Sequence, residues 1–350
     1  MTRCWKRVAA AAALLAAVVA AAGCGGSGEP KEVVLVTHDS FAVSPAVKKA
    51  FEEESGLKLR ILQAGDAGEV VTRALLTAGN PEGDVLFGVD NNLLARALSG
   101  DVFEPYESSE LGAIDPALVL DEEHRVTPID RGDVCLNVDR AWFSKHELAV
   151  PTSLHQLTLP AYRKLLVVEN PATSTPGLAF MLATIATYGN GWKDYWSKLR
   201  ENGVLVVDGW EDAYFTRFSG AAGSSGNRPI VVSYASSPPA EVLGRKPQPT
   251  EAPTGVVEHS CFRQIEFAGV LRGARNPDGA RKLVDFMLSK RFQADIPLQM
   301  YVFPAREGVA LPPAFERFAI VPEHPLEVPP AEIDANRERW IDQWTDTVVR

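Results

Sequence analysis

The side chains best suited to chemistry in this 350-residue chain lie in short polar segments that follow apolar runs. Thr37-His38-Asp39-Ser40 follows the first run, Asp66 sits within residues 65–68, and Asp90-Asn91-Asn92 follows the run at 84–88. Ser174 and Thr175, ahead of Pro176-Gly177, put hydroxyls and backbone N–H groups at the start of a predicted helix. That suits an anionic or strongly polar group, and it suits simple capping equally well. Gly209-Trp210 closes another strand with Tyr214 one turn on, and Tyr234 ends the next, ahead of Ala235-Ser236-Ser237. Aromatic faces stack on planar rings and attract cations, and Asp39, Asp66 and Asp90 are carboxylates that could neutralise one. These residue types point to holding a planar or cationic molecule, while each alone also fits core packing, a cap or a solvated loop.

Motifs for making and breaking bonds are missing. The chain has no His-Glu-x-x-His, no Gly-x-Ser-x-Gly, no Walker-type loop and no Cys-x-x-Cys, and its six histidines are scattered with no pair at metal-ligand spacing. A binding protein with no metal and no cofactor is therefore expected ahead of an enzyme. The formal charge of −10, from 35 basic and 45 acidic side chains, disfavours nucleic acid as a partner. With 46% apolar and 23% charged residues the chain can bury sizeable cores, and its length suggests two domains.

The elements that must position these residues follow from periodicity. A β-branched run at 31–36 reads as a strand, and 45–55 as a helix with Val47, Ala50 and Phe51 on one face. Residues 57–62 and 84–88 repeat the strand signal around a helix at 70–76. An extended stretch at 126–138 precedes a second alternating block at 165–239, with strands at 165–168, 204–207 and 229–234 and helices opening at 175 and at 192–200. A Pro-rich loop at 246–254, a strand at 264–270 and a helix at 278–288 come next, and a last helix from Pro329 carries Ile333, Trp340 and Trp344 as core. Strands alternating with helices predict a parallel α/β sheet, with ligands at the carboxyl ends of its strands.

The N-terminus reads as an address. Arg3, Lys6 and Arg7 precede an uncharged apolar run at 8–22, too short to span a bilayer but suited to a secretory signal. It ends in Ala21-Ala22-Gly23-Cys24, which resembles a bacterial lipobox. On that reading residues 1–23 are a signal peptide, Cys24 takes the lipid, and 24–30 form a flexible tether. Loss of the signal removes three basic residues and makes the charge more negative. Cys135 and Cys261 then remain in an oxidising compartment, where a disulfide is expected over a nucleophile or a metal pair.

At the polar segments the sequence resembles the periplasmic thiamine-binding proteins of ABC importers. Thr37-His38-Asp39-Ser40-Phe41 is similar to the family's T-Y-D-S-F, and Gly88-Val89-Asp90-Asn91-Asn92-Leu93-Leu94 to its G-L-D-N-N-L-L. Thr173-Ser174-Thr175-Pro176-Gly177-Leu178 matches T-S-T-P-G-L. The segments at 209–214 and 233–238 are similar to G-W-S-E-A-Y and S-Y-T-T-S-P. The order and spacing hold over nearly all of the chain after the signal.

The resemblance implies an α/β, two-lobed type II periplasmic-binding-protein fold with crossover hinge strands. Lobe 1 would comprise 31–134 and 262–350, and lobe 2 would comprise 135–261, with Cys135 and Cys261 at the crossings. It implies thiamine or its mono- or diphosphate as ligand, Trp210 and Tyr234 as aromatic contacts, Ser174 as a polar one and Asp66 beside the cation. His38 stands where the family has Tyr, Tyr301 where it has Trp, Ala67 where it has Gly and Ala240 where it has another Tyr. The expected site is His38, Asp39, Ser40, Asp66, Asp90, Ser174, Thr175, Gly177, Trp210, Tyr214, Tyr234, Ser236 and Tyr301. A protonated His38 would repel a cation, so binding is expected to weaken below its pKa, near 6.5 if unperturbed. The expected protein is an exported, lipid-anchored monomer that delivers its ligand to an ABC permease. The alternatives are a binder of iron, a polyamine or a phosphonate on the same fold, a ligand sensor with no transporter, and an enzyme like the type I thiaminases using Cys135 or Cys261.

Overall fold

A computed structural model describes residues 31–350, Gly244 and Gln248 excepted. The expected signal at 1–23, the tether at 24–30 and Cys24 lie outside the described residues. The strands are β1 (Glu32–Thr37), β2 (Lys58–Gln63), β3 (Val85–Asp90), β4 (Phe103–Glu104), β5 (Thr127–Asp139), β6 (Leu166–Glu169), β7 (Leu205–Val207), β8 (Ile230–Tyr234), β9 (Thr254–Leu271) and β10 (Phe303–Pro304). The helices that matter for the site are α1 (Pro45–Ser55), α2 (Ala67–Leu76), α3 (Thr175–Tyr188), α4 (Trp192–Glu201), α5 (Pro277–Met287), α6 (Lys290–Gln299) and α7 (Pro330–Val348).

Local chemistry accounts for these elements. At α1 the Ser44 hydroxyl accepts from Val47 N, Pro45 takes the first turn where its missing N–H costs nothing, and Gly56 ends the helix in the left-handed region at φ 72°. Its inner face buries Val47, Ala50 and Phe51, with Phe51 edge-on to Phe286 of α5 at 5.3 Å. Burial of Val47 and of Phe51 contributes about 1.5–3 kcal/mol each.

The strands form one hydrogen-bonded sheet in the order β2-β1-β3-β9-β5-β8-β6-β7, with β4 on β9 and β10 on β5. It is mixed, which departs from the parallel sheet expected from the alternation. β1 pairs in parallel with β2 and β3, and β6 with β7 and β8, but β9 and β5 run antiparallel to their neighbours. The reason is that β5 and β9 cross from one parallel set to the other, and a strand returning without a helical crossover must lie antiparallel.

Those two strands change company at one point. Residues 127–134 of β5 pair with 262–268 of β9, on the side of β3 and β10, while 136–139 pair with 254–257, on the side of β8. Between these stretches, residues 258–261 of β9 face Cys135 alone. Ser260 fills the break in the ladder: its Oγ accepts from Leu136 N at 2.8 Å and donates to Val257 O at 2.6 Å. Cys135 and Cys261 are joined there, with sulfurs 2.03 Å apart and both residues buried. The C-terminal helix α7 sets Trp344 edge-on against Trp196 of α4 at 5.4 Å, so it packs on the middle block as well as closing the chain.

Candidate ligand-binding cleft

A cavity of about 210 Å³ opens where the carboxyl ends of β1, β7 and β8 approach the start of α2 and α3 and the end of α6. Its wall includes His38, Asp39, Ser40, Asp66, Thr175, Trp210, Tyr234 and Tyr301, all of them expected from sequence. Glu211, Phe215, Glu266 and Met300 also line it.

Asp66 ties the two sides together. As the N-cap of α2 its carboxylate accepts from Ala67 N at 2.6 Å, and its second oxygen accepts from Trp210 N at 3.1 Å, a residue 144 positions away. Burial pushes its pKa from 3.8 to about 6; the Trp210 N–H and the nearby His38 charge pull against that rise.

Trp210 is held on three sides. Besides its backbone bond to Asp66, its ring N–H donates to Ser233 Oγ at 3.0 Å, and its face stacks on Tyr214 at 5.1 Å and 20°. Tyr234 meets it edge-on at 6.2 Å and Phe215 at 5.4 Å. Tyr214 lies beneath, buried, with its hydroxyl donating to Glu241 Oε1 at 2.9 Å. It sits on a π-helical turn, Asp212–Arg217, and supports Trp210 from outside the cavity lining.

His38 follows β1 and is buried, its Nε2 lying 3.4 Å from Glu266 Oε1. Burial alone would lower its pKa, but Glu266, with Asp66 and Asp39 further off, outweighs that and holds it above 6.5. The protonation expected near 6.5 is thus moved upward. Gly88 makes room for the ring: at φ 104° it takes a backbone few other residues adopt, and a Cβ there would stand 2.5 Å from His38 Cδ2.

Glu266 belongs to a lateral row of carboxyls. In the β3–β9–β5 register it is paired with Asp90 on one side and Asp130 on the other. Burial, followed by the charge of Glu266, pushes Asp90 up to about 7 and Asp130 well above the usual carboxyl range. Burial also raises Glu211, with Asp39 adding to the rise.

Five of the expected residues stand away from the cavity lining: Tyr214, described above, and four others. Asp90 is buried behind the wall, where its oxygens accept from the backbone of Asn92 and Leu93 and from the side chains of Asn92 and Gln264. Ser174, at the N-cap of α3, and Ser236, after β8, are buried, and neither hydroxyl makes a hydrogen bond. Gly177 packs α3 onto β6, where a Cβ would lie 2.5 Å from the Glu169 carbonyl. Thr175 does reach the cavity, and its hydroxyl accepts from Gln264 Nε2 at 3.1 Å.

Sequence reasoning missed Glu211, although it adjoins Trp210, and Glu266, whose signal was a carboxylate inside the otherwise apolar run 265–271 at the end of β9. Among the described residues no group of three or more His, Cys, Asp or Glu is placed to hold a metal ion, and no helix is long and apolar enough to cross a membrane.

Comparison with known proteins gives this cleft a context. The family model for bacterial extracellular solute-binding proteins matches residues 80–333. The thiamine-binding periplasmic protein of Salmonella typhimurium is 30% identical over 335 residues, covering 93% of this chain and 97% of that protein. Its Escherichia coli counterpart is 30% identical, covering 91% and 94%. A solved periplasmic thiamin-binding protein superposes with a TM-score of 0.81 at 29% identity, covering 93% of this chain and 98% of the other. Matched by a family model over most of its length and 30% identical to relatives along nearly all of it, the chain belongs to the bacterial extracellular solute-binding proteins, on the two-lobed α/β type II periplasmic-binding-protein fold.

Proposed function

We propose that this protein captures thiamine or a thiamine phosphate outside the cytoplasm and delivers it to an ABC permease, making and breaking no bond. The observation that carries this reading is the meeting of the Trp210–Tyr214 stack and Tyr234 with the carboxylates of Asp66, Glu211 and Glu266 in one cleft. A planar aromatic cation uses both features: stacking and cation–π attraction on one wall, and charge neutralisation on the other. Its thiamine-binding relatives support the same ligand.

Capture proceeds by closure of two lobes, 31–134 with 262–350 and 135–261, about the β5–β9 crossing, with the Asp66–Trp210 bond as a latch across the cleft. The Cys135–Cys261 link sits on that crossing and removes both thiols from any nucleophilic role. His38, Asp39, Ser40, Thr175 and Tyr301 complete the wall around the ligand, while Asp90, Ser174, Gly177, Tyr214 and Ser236 shape it from behind. The chain acts as a monomer, exported by its signal and anchored to the outer face of the cytoplasmic membrane through Cys24.

Calorimetric titration with thiamine and with its mono- and diphosphate tests this. At least one form binds, and Trp210→Ala weakens it by about 2 kcal/mol, roughly thirtyfold, as one lost aromatic face over a cation requires. If none of the three binds, the ligand assignment is wrong.

A further inference from the structure

The charges in the cleft choose between the ligand's forms, an inference that rests on the thiamine reading above. Among the described residues lining the cavity there is no lysine and no arginine. The one basic side chain there is His38, and it is already engaged by Glu266 at 3.4 Å. Among the described residues, Asp39, Asp66 and Glu211 form no salt bridge with a cation of the lining. The first N–H of α2 is taken by the Asp66 carboxylate, and Pro176 in the first turn of α3 has no N–H to offer. Behind the wall, Asp90 and Asp130 flank Glu266 in the same row and bring no positive charge.

We infer that the cleft selects the unphosphorylated, cationic form of its ligand, and that Asp39 and Glu211 are the specificity-determining residues that turn a phosphate ester away. Thiamine brings a single positive charge, which Asp39, Asp66 and Glu211 neutralise. A phosphomonoester adds a charge of about −1.5 to −2 at pH 7 together with oxygens that only accept hydrogen bonds, and such a group needs Arg, Lys or free backbone N–H donors. At an effective dielectric of about 20, one pair of like charges about 8 Å apart weakens binding roughly thirtyfold, which salt screening reduces to about tenfold. The aromatic wall binds the rings equally in every form, so discrimination comes from the acidic wall alone.

The test is calorimetric titration of the full protein at pH 7.5 with thiamine, thiamine monophosphate and thiamine diphosphate, at low and at physiological salt. Thiamine is expected to bind at least about tenfold tighter than the monophosphate, which in turn binds no more weakly than the diphosphate, and the gap widens at low salt. Inorganic phosphate at millimolar concentration does not compete with thiamine. In E211Q and in D39N, each checked for an unchanged thermal transition, thiamine weakens while the monophosphate strengthens, narrowing the gap to within about threefold. Equal or tighter binding of the monophosphate overturns the inference and leaves the thiamine reading standing, as does a gap that neither variant alters. Failure of all three forms to bind overturns the thiamine reading and this inference with it.

Discussion

Replacing Asp66 with asparagine separates what its charge does for the ligand from what the residue does for the fold. In the folded protein its carboxyl titrates at about 6, against 3.8 when unperturbed, because burial disfavours the ion. An acid raised in this way contributes stability that is fully present below pH 3.8 and is lost as the pH rises through about 6. Above pH 7 the ionised group therefore costs about 3 kcal/mol relative to a neutral one. Asparagine removes that cost and can still cap α2 through its oxygen to Ala67 N, but its amide cannot accept from Trp210 N, and an unpaired buried N–H costs about 1–3 kcal/mol. The two effects nearly cancel, so the thermal midpoint of D66N without ligand stays within a few degrees of wild type at pH 7.5. The ligand loses a countercharge in a half-enclosed site, worth about 2–3 kcal/mol at an effective dielectric of about 20, so thiamine binds roughly thirty- to a hundred-and-fiftyfold more weakly. The pH profile changes as well. Wild type gains affinity for a cation from pH 5 to 8, as Asp66 ionises near 6 and then His38 loses its proton above 6.5. D66N keeps only the second rise. Calorimetry at pH 5, 6, 7 and 8 together with thermal denaturation reads both quantities. Wild-type thiamine affinity in D66N at pH 7.5, or a flat profile in wild type, would refute the reasoning.

Removing the Glu266 charge in E266Q leaves burial to dominate at His38, so the imidazole pKa, followed by NMR titration, drops from above 6.5 towards or below it; an unchanged value would mean the 3.4 Å pairing is not what holds it up. The disulfide closes a loop 126 residues long, for which unfolded-chain entropy predicts about 4–5 kcal/mol. Alanine at both Cys135 and Cys261 should lower the thermal midpoint by many degrees yet alter thiamine affinity less than about threefold, because neither residue lines the cavity. Two reactive thiols in the denatured, unreduced protein would show the link absent.

Much of the cleft was legible because its residues follow a local rule. Strands in α/β sheets end in polar segments: His38, Asp39 and Trp210 follow strands, and Tyr234 ends one, whose apolar runs are plain in the sequence. Asp90 obeys the same rule yet faces inward, since its oxygens are used up holding the Asn92 turn and the Gln264 amide. Ser174 and Ser236 likewise occupy strand and helix ends without reaching the cavity. Whether a polar strand end faces a ligand or a neighbouring segment depends on what packs against it, which spacing does not encode. Tyr301 was expected from resemblance alone. It stands at φ 58° just past α6, a left-handed conformation that no motif announces.

By itself the sequence determined the elements: caps such as Ser44, apolar faces such as that of α1, strand runs and the aromatic and acidic residues at their ends, all of them set by interactions within a few residues. Only the tertiary structure decided that the sheet is mixed, that Glu266 from β9 meets His38 from the end of β1, and that Asp66 reaches Trp210 across 144 positions. It also decided the charge states, since Asp66 near 6 and Asp90 near 7 follow from burial and from the β3–β9–β5 register. The physical reason is range: capping and periodicity act between neighbours along the chain, whereas desolvation and charge coupling act between groups that only folding brings together.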